Sequence, residues 1–383
     1  MPQLRFRNFS DLSFIQSVDK PRFLGPLLAG HKDYFARQGL DVDRLTNDDR
    51  SDRKLLAAFT QADEEMPNDL LETLYELDDL ADESGHDRIL EEADRMGIQL
   101  NGAYEDLNPG EFAIAVFRDH VHIVHFCHQK TYYRKIKNYQ EFQSKDGKTL
   151  SLKKAKARRV TLENEMAPWF EAKNRSRACE IHVYEEKGEI KFQITHGRPY
   201  RTDGTIDKQL NRSRVAYRPQ KHDSVIFDNR TRVLKVNAQT AAEKELYREK
   251  FGKVLFDDAE YFPEGDIYSL DTLRQGTAAI KLVPGVESAR LTEVWISIDD
   301  DQRFVQISKG YNLHESIERH GKPNLQEGRI IRAKLMLKYS SGGRPRKLEL
   351  RPPNIADYDR ERDGAAAEAF MRANDMLKVE IDE

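Results

Sequence analysis

The spacing of the apolar residues changes near Cys179, and this change constrains the fold more than any other feature of the chain. Downstream, the segments EIHVYEEKGEIKFQITHG (180–197) and SVIFDNRTRVLKV (224–236) alternate apolar and polar residues, as antiparallel strands with one buried face do. Upstream, apolar residues recur with the spacing of one helical stripe at Leu70, Leu74, Leu77 and Ala81. The sequence therefore predicts an α+β protein in which a helical N-terminal domain precedes a region rich in β-hairpins.

Local signals place the turns and one helix of the hairpin region. The two hairpins are predicted to turn at residues 186–188 (EKG) and 229–231 (NRT). After the second hairpin, Thr240 and Glu243 have the spacing of a capping box, in which each side chain accepts a hydrogen bond from the other residue's backbone. Gly252 is predicted to end this helix, because glycine favours the left-handed conformation that commonly follows a helix.

The same order of elements recurs 113 residues later in the chain. The segment EVWISIDDDQRFVQISKG (293–310) matches the first hairpin in length without gaps, and LKYSSGGRPRKLEL (337–350) lies in register with the second. A helix predicted over roughly 363–376 then corresponds to the helix of the first copy. Two duplicated ββ-ββ-α units would form a pseudo-symmetric assembly with helices over one sheet face. The alternative is coincidence, since any two amphipathic hairpins share alternation.

A chain of 383 residues exceeds the size of about 250–300 residues at which a single core stops growing. We therefore expect several domains. Their predicted bounds are 1–128 for an acidic, mainly helical domain, 129–177 for a basic connector, 178–255 for the first α+β unit, 256–290 for a linker and 291–383 for the second α+β unit.

Charge is distributed unevenly, although the net charge is only −4. Residues 41–111 hold 22 acidic and 6 basic side chains, a net charge of −16, whereas residues 129–235 hold 26 basic and 13 acidic side chains, a net charge of +13. This division indicates charged partners, or contact between the two parts. The acidic helices are expected to dock a protein partner or to cover the basic surface until a ligand displaces them, and a solvated acidic face is the alternative.

The strongest functional signal is the basic segment 130–159. It holds eleven Lys or Arg residues against two acids, a net charge of +9, with tyrosines between the cations. Cations neutralise phosphates and release counterions, and tyrosines can stack on exposed bases, so the segment predicts binding to the phosphate backbone of nucleic acid. A solvated loop is the alternative. The predicted contacts are Lys130, Tyr132, Tyr133, Arg134, Lys135, Lys137, Lys153, Lys154, Lys156, Arg158 and Arg159.

Four histidines and Cys127 fall within RDHVHIVHFCHQK (118–130). The flanking apolar residues keep helical spacing, so the segment is predicted to be an amphipathic helix. His122 and His125 would be neighbours on it and are candidate metal ligands. A zinc site needs three or four convergent ligands, however, and no acid or cysteine occupies the next matching position. The pattern favours histidines that decorate a helix, and neither a metal nor a cofactor is predicted.

A catalytic alternative rests on GEIKF (188–192). Glu189 and Lys191 would share one face of a strand, with Glu180 on the preceding strand and His196 at the strand end, and such residues can hold a metal ion and activate water in nucleases. Glu-x-Lys is also a common ion pair on exposed strands. A metal-dependent nuclease is therefore the alternative to a binding protein. Arginines that can pair with phosphate follow at Arg198, Arg201, Arg214 and Arg218.

Several function classes lack their sequence motifs. There is no phosphate-binding Gly-x-x-x-x-Gly-Lys loop, no dinucleotide fingerprint, no Gly-x-Ser-x-Gly elbow and no Cys-x-x-Cys pair. The longest apolar run, FAIAVF (112–117), is far shorter than the ~20 residues that span a bilayer. We expect a soluble cytoplasmic protein that is nucleic-acid-associated or assembles a complex without catalysis, in a setting such as DNA processing or phage defence. A purely protein-binding scaffold is the second alternative.

Overall fold

Helices dominate the chain up to Arg134, and strands dominate it from Asn138 onward. The computed structural model describes residues 6–60, 66–206, 210–276, 280–299 and 304–379. It divides into two compact units, Met1–Tyr132 and Tyr133–Glu383. The fold class is α+β, as the change in apolar spacing predicts.

The first unit is helical. Its described α-helices are α1 Leu12–Ser17, α2 Gly25–Leu28, α3 Lys32–Arg37, α4 Asp49–Thr60, α5 Asn68–Asp78, α6 Glu83–Arg95 and α7 Pro109–Arg134. The last two residues of α7 belong to the second unit. The predicted stripe on α5 is confirmed, because Leu70, Leu74 and Leu77 are buried in the core of this unit. α7 is kinked at His120, where the backbone leaves helical geometry.

The second unit combines strands and helices. Its strands are β1 Asn138–Gln143, β2 Cys179–Glu186, β3 Glu189–Gly197, β4 Arg201–Ile206, β5 Arg212–Tyr217, β6 Gln220–Asp228, β7 Val233–Asn237, β8 Val286–Ser297, β9 Val305–Lys309, β10 Arg329–Tyr339, β11 Arg346–Arg351 and β12 Ile355–Asp357. Its described helices are α8 Leu152–Ala172, α9 Ala241–Phe256, α10 Leu313–His320 and α11 Arg360–Ala373.

Ten of these strands form one antiparallel sheet in the order β2-β3-β6-β7-β1-β12-β11-β10-β8-β9, and β4 and β5 form a separate pair. Directly paired residues of antiparallel strands share a face. Phe142 of β1 pairs with Leu234 of β7, and both pack beneath α8 and α9. One strand further, Ala356 of β12 pairs with Leu350 on the opposite face, in the core that α11 completes. The two halves of the sheet therefore bury opposite faces.

The predicted hairpins at 180–197 and 224–236 are confirmed as β2–β3 and β6–β7, and the predicted capping box at Thr240 and Glu243 is present. The predicted connector 129–177 contributes β1 to the middle of the sheet and α8 to its cover. The duplication is not confirmed. The first strand of hairpin 180–197 lies at a sheet edge, whereas β9, the second strand of hairpin 293–310, lies at the other edge.

Gly252 does not end α9, contrary to the prediction. The helix continues to Phe256, and Asp257 adopts the left-handed conformation that follows it. Gly252 is buried where the chain turns back, and a Cβ atom there would lie 2.6 Å from the carbonyl oxygen of Asp258 and 3.2 Å from Cβ of Tyr261. Close approach of the backbone, rather than termination of the helix, requires glycine at this position.

Gly252→Ala is expected to lower the free energy of unfolding by about 1–3 kcal/mol, because the new methyl group overpacks the contact although alanine favours helix. Urea unfolding measures the change. The matched control is Gly364→Ala within α11, where the nearest atom to an added Cβ lies 4.0 Å away. That variant should be as stable as the wild type or more stable by up to about 1 kcal/mol. Equal behaviour of the two variants would contradict this role of Gly252.

None of the helices in the described ranges combines the length and the hydrophobicity needed to cross a membrane.

Candidate nucleic-acid interface

α8 carries the densest group of predicted phosphate contacts. Ser151 caps the helix by accepting a hydrogen bond from the backbone N–H of Lys154 at 3.2 Å. Ala155, Leu162 and Met166 are buried in the core of this half of the sheet, so the residues between them point away from it. The charges of the helix are separated along its length. Its cations all lie within 153–159 and its acids all lie within 163–171.

The α8 basic surface consists of Lys153, Lys154, Lys156, Arg158 and Arg159. The first four are exposed, and Arg159 is half-buried with its guanidinium 3.7 Å from Glu163. Within the described ranges no carboxylate forms an ion pair with the four exposed cations. Lys154 lies over the ring of Phe256, with its Nζ 5.6 Å from the ring centre. Four of the five cations that the sequence predicts here are thus exposed on the first two turns of one helix.

The position of this surface at the start of a helix is electrostatically unfavourable for the protein alone. Peptide dipoles give a helix a partial positive charge at its N-terminus, where acids stabilise the helix and cations destabilise it. The first turn of α8 contains no acidic residue. A bound anion would interact favourably with both the cations and the helix terminus.

Three of the other predicted contacts are engaged within the protein. Lys130 is only 8% exposed, pairs with Glu92 at 3.3 Å and lies over the ring of Phe126. Tyr133 is buried against His222, and burial raises the pKa of its hydroxyl.

Lys137 pairs with Asp359 at 2.8 Å. The remaining predicted contacts differ in exposure: Tyr132 and Lys135 are exposed, and Arg134 is half-buried. Four of the predicted contacts on α8 are therefore exposed, whereas three of those within 130–137 are held by other residues of the protein.

The histidine run forms part of α7, as predicted, and two of its histidines face acids, one in α5 and one directly after it. Nδ1 of His125 lies 2.6 Å from a carboxylate oxygen of Glu76, and Nδ1 of His128 lies 3.1 Å from Asp79. Burial raises the pKa of Glu76, and His125 opposes that shift. His122 and His125 are not members of any group of three potential metal ligands in the described ranges. These contacts give His125 and His128 a structural role between helices.

One buried group in the described ranges has the composition of a metal site: His196, Asp223 and Glu243. Lys221 occupies it instead, with its ammonium 2.6 Å from Glu243 and 3.2 Å from Asp223. The guanidinium of Arg175 also pairs with Glu243. Nε2 of His196 lies 2.9 Å from Asp223, and its Nδ1 lies 3.0 Å from the carbonyl oxygen of the next residue. Because cations already hold both carboxylates, the group is a structural ion-pair network.

This network predicts a pH-dependent contribution to stability. Burial opposes ionisation of Glu243, but hydrogen bonds from Lys221 and Arg175 outweigh it and lower its pKa from 4.5 to about 2. A depressed folded-state pKa stabilises the protein above the ordinary value, and the contribution is lost as pH falls from 4.5 through about 2.

Glu243→Gln is expected to lower the free energy of unfolding by about 3 kcal/mol at pH 7, because it leaves buried cations without their partner. The difference from the wild type should shrink as pH falls below 4.5. Urea unfolding across pH measures both effects. The matched control on the same helix is Glu245→Gln, whose carboxylate is exposed and pairs with Arg248, so the change should stay below about 1 kcal/mol. A pH-independent difference would contradict the ionised state of Glu243.

Of the four residues of the nuclease alternative, only Glu189 and Lys191 lie together. Glu180 pairs across the strands with Thr195, six residues along β3 from Glu189, a separation of roughly 20 Å. His196 is an odd number of residues from Lys191 and points to the opposite face of β3.

The two residues that do meet belong to a second ion-pair network. Lys191 is buried, and its ammonium lies 2.6 Å from Glu186 and 2.9 Å from Glu361. Burial disfavours its charged form, but these carboxylates outweigh burial and raise the pKa of Lys191. Lys235 pairs with Glu189 at 2.7 Å. The carboxylates therefore hold lysine ammonium groups where a metal-dependent site would leave them open to a cation.

A further cationic surface lies on β8, β10 and β11, on the face opposite their core. Glu293 and Glu349 are buried there, and half-buried cations pair with them. Lys334 lies 3.0 Å from Glu293, and Arg332 and Arg351 lie 3.0 and 3.1 Å from Glu349. Burial opposes ionisation of Glu293, but hydrogen bonds, first among them the one from Lys334, lower its pKa to about 2.

This surface was not predicted from the sequence. A cleft of about 600 Å³ adjoins it and is lined in part by Trp295, Arg332 and Arg351, with the Arg332 guanidinium 4.7 Å from the centre of the Trp295 ring. The signal was the alternation in RIIRAKLMLKY (329–339), which puts Arg332 and Lys334 on the same face of one strand.

No protein-family model matches the chain, and no curated protein matches its sequence. The function is therefore inferred from the geometry and charge of these surfaces.

Proposed function

We propose that the protein binds nucleic acid without catalysis, in the cytoplasm, and that the α8 basic surface contacts the phosphate backbone. One observation supports this most strongly. Lys153, Lys154, Lys156 and Arg158 are exposed and have no carboxylate partner in the described ranges, whereas other lysines of the same unit, such as Lys253, are held in ion pairs. Nucleic acid is the abundant cellular polyanion that such unpaired cations attract.

The arrangement of these cations on a helix suits a phosphate backbone. Lys153 and Lys156 are three residues apart, and Lys154 and Arg158 are four residues apart, so each pair lies on one side of the helix with about 5–6 Å between Cβ atoms. The helix holds the cations on a rigid element packed on the sheet. Contacts of this kind position a protein on nucleic acid and carry no sequence information themselves.

The ion pairs around Glu189 support binding over catalysis. In the presence of Mg²⁺ or Mn²⁺, the wild-type protein is expected to leave DNA and RNA uncleaved, as gel analysis of labelled substrates would show. Metal-dependent cleavage that disappears in Glu189→Gln would favour the nuclease alternative, provided that the variant retains the melting temperature of the wild type.

Lys153→Gln/Lys156→Gln/Arg158→Gln is expected to weaken nucleic-acid binding strongly, because it removes three phosphate contacts. Fluorescence anisotropy with a labelled 20-base-pair duplex measures the affinity between 50 and 300 mM salt. The slope of log affinity against log salt should become less steep by about 3. At 0.1 M salt the affinity should fall on the order of a hundredfold.

The matched control removes the same charge from lysines that already have partners. Lys145, Lys148 and Lys253 pair with Asp258, Asp146 and Glu165 at 2.8–2.9 Å, so neutralising all three with glutamine should change the slope by less than about 1. Equal losses in the two triple variants would show a non-specific charge effect. No retention of nucleic acid by the wild type at low salt would rule out the proposed function and favour a protein-binding scaffold.

A further inference from the structure

Strands β4 and β5 lie outside the ten-stranded sheet and form a separate pair. The pair and the described residues that flank it within 198–219 are here called the β4–β5 ribbon. Gly197 at the end of β3 pairs with Gln220 at the start of β6, so the chain leaves and re-enters the sheet at one point. Between them β4 and β5 pair over six residues each. Pro199 and Pro219 lie at the base, where the backbone N–H of Arg198 donates a hydrogen bond to the carbonyl oxygen of Pro219 at 2.8 Å.

The described residues cover neither face of the β4–β5 ribbon. Every residue of its two strands is exposed except Asp203, which is half-buried. Near the tip, Ile206 is 66% exposed and Leu210 is 81% exposed. A two-stranded hairpin of this kind is only marginally stable by itself in water. No described residue of the ribbon belongs to either hydrophobic core of the second unit. A partner that covers the ribbon would explain why it carries exposed apolar and charged side chains.

The two faces of the β4–β5 ribbon differ in charge. Arg212 and Arg214 point to one face, where Arg214 lies across from Gly204, and no carboxylate pairs with either arginine in the described ranges. The other face carries Arg201, whose guanidinium lies 3.0 Å from Asp203. Among the described residues, one face of the ribbon therefore presents arginines without a carboxylate partner, and on the other face Asp203 neutralises Arg201.

We propose that the β4–β5 ribbon enters the major groove of B-form DNA with its arginine face toward the bases. This proposal rests on the proposed function and names duplex DNA as the ligand. The B-DNA major groove is about 12 Å wide and admits a two-stranded ribbon. Six residue pairs span roughly 20 Å, the axial length of about six base pairs. Guanine presents two acceptors in this groove, N7 and O6, which match the donors of an arginine.

Other occupants fit less well. The major groove of A-form RNA is deep and narrow, so side chains cannot read it. A second copy of the chain would bring the arginine faces of two ribbons into repulsion. Single-stranded nucleic acid is bound through stacking on aromatic rings. Within the paired strands the ring of Tyr217 lies on the face of Arg201, and at the base the guanidinium of Arg218 already lies over the ring of Tyr200.

Methylation protection tests the proposal directly. Dimethyl sulfate modifies guanine N7 in the major groove, and the wild type bound to a 20-base-pair duplex should protect guanines over about six base pairs. Arg212→Gln/Arg214→Gln should lose this protection and bind the duplex on the order of twentyfold or more weakly. Arg201→Gln is the control on the opposite face, and it should keep the protection with affinity within about twofold. Unchanged melting temperatures would show that all variants fold.

The possible results separate this proposal from the proposed function. Steeply salt-dependent duplex binding without N7 protection would overturn the ribbon's role and leave the proposed function intact. Absence of binding would overturn both. Equal affinity for an RNA duplex, or protection of adenine N3 in the minor groove, would refute the assignment to the B-form major groove. A dimer in solution that depends on Arg212 and Arg214, with guanines unprotected, would assign the ribbon to self-association.

Discussion

The alternation of side chains across the β1–β12 pairing determines where the charges of the second unit lie. Because the two halves of the sheet bury opposite faces, each half also has a face that its main apolar core does not cover. Charged residues on these faces satisfy one another, as Lys235 does with Glu189 on one half and Lys334 with Glu293 on the other. Removing one partner of a buried ion pair lowers the free energy of unfolding, so these residues have a structural role. The cations of α8 and of the β4–β5 ribbon are outside that arrangement, which is why we propose them as binding surfaces.

The elements with a clear local period could be predicted from the sequence. The helix α5 and the hairpins β2–β3 and β6–β7 follow from apolar spacing, because period and turn residues are local properties. β1 was missed because NYQEFQ lies in a basic segment and owes its place to pairing with Val236 and Ile355, which are distant in the chain. Gly252 was predicted to end α9 from its local sequence, but the helix continues past it. The glycine is required by its contact with residues further along the chain, which no local pattern shows.

The candidate site could be predicted only in part, for a similar reason. The cations of α8 are exposed because helical periodicity turns them away from the core, and this periodicity is visible in the sequence. Lys130 and Tyr133 were predicted as contacts on the same grounds of charge and aromatic character. Their partners, however, are Glu92 and His222, which no local sequence pattern connects to them. The number of cations in a segment therefore predicts that its surface is positively charged. It does not predict which of these cations remain available to a ligand.

α11 closes both halves of the second unit. Arg360 and Glu361 reach Glu141 and Lys191 on one half, whereas Phe370 and Met371 fill the core of the other. All ten strands of the main sheet precede this helix in the chain. During translation the ribosome thus produces the whole sheet before the residues that cover its middle. The helices that cover one half of the sheet, α8 and α9, are made before β8, whereas the strands of the other half emerge before α11 can cover them. Apolar strands exposed in this way make a folding chain prone to aggregation.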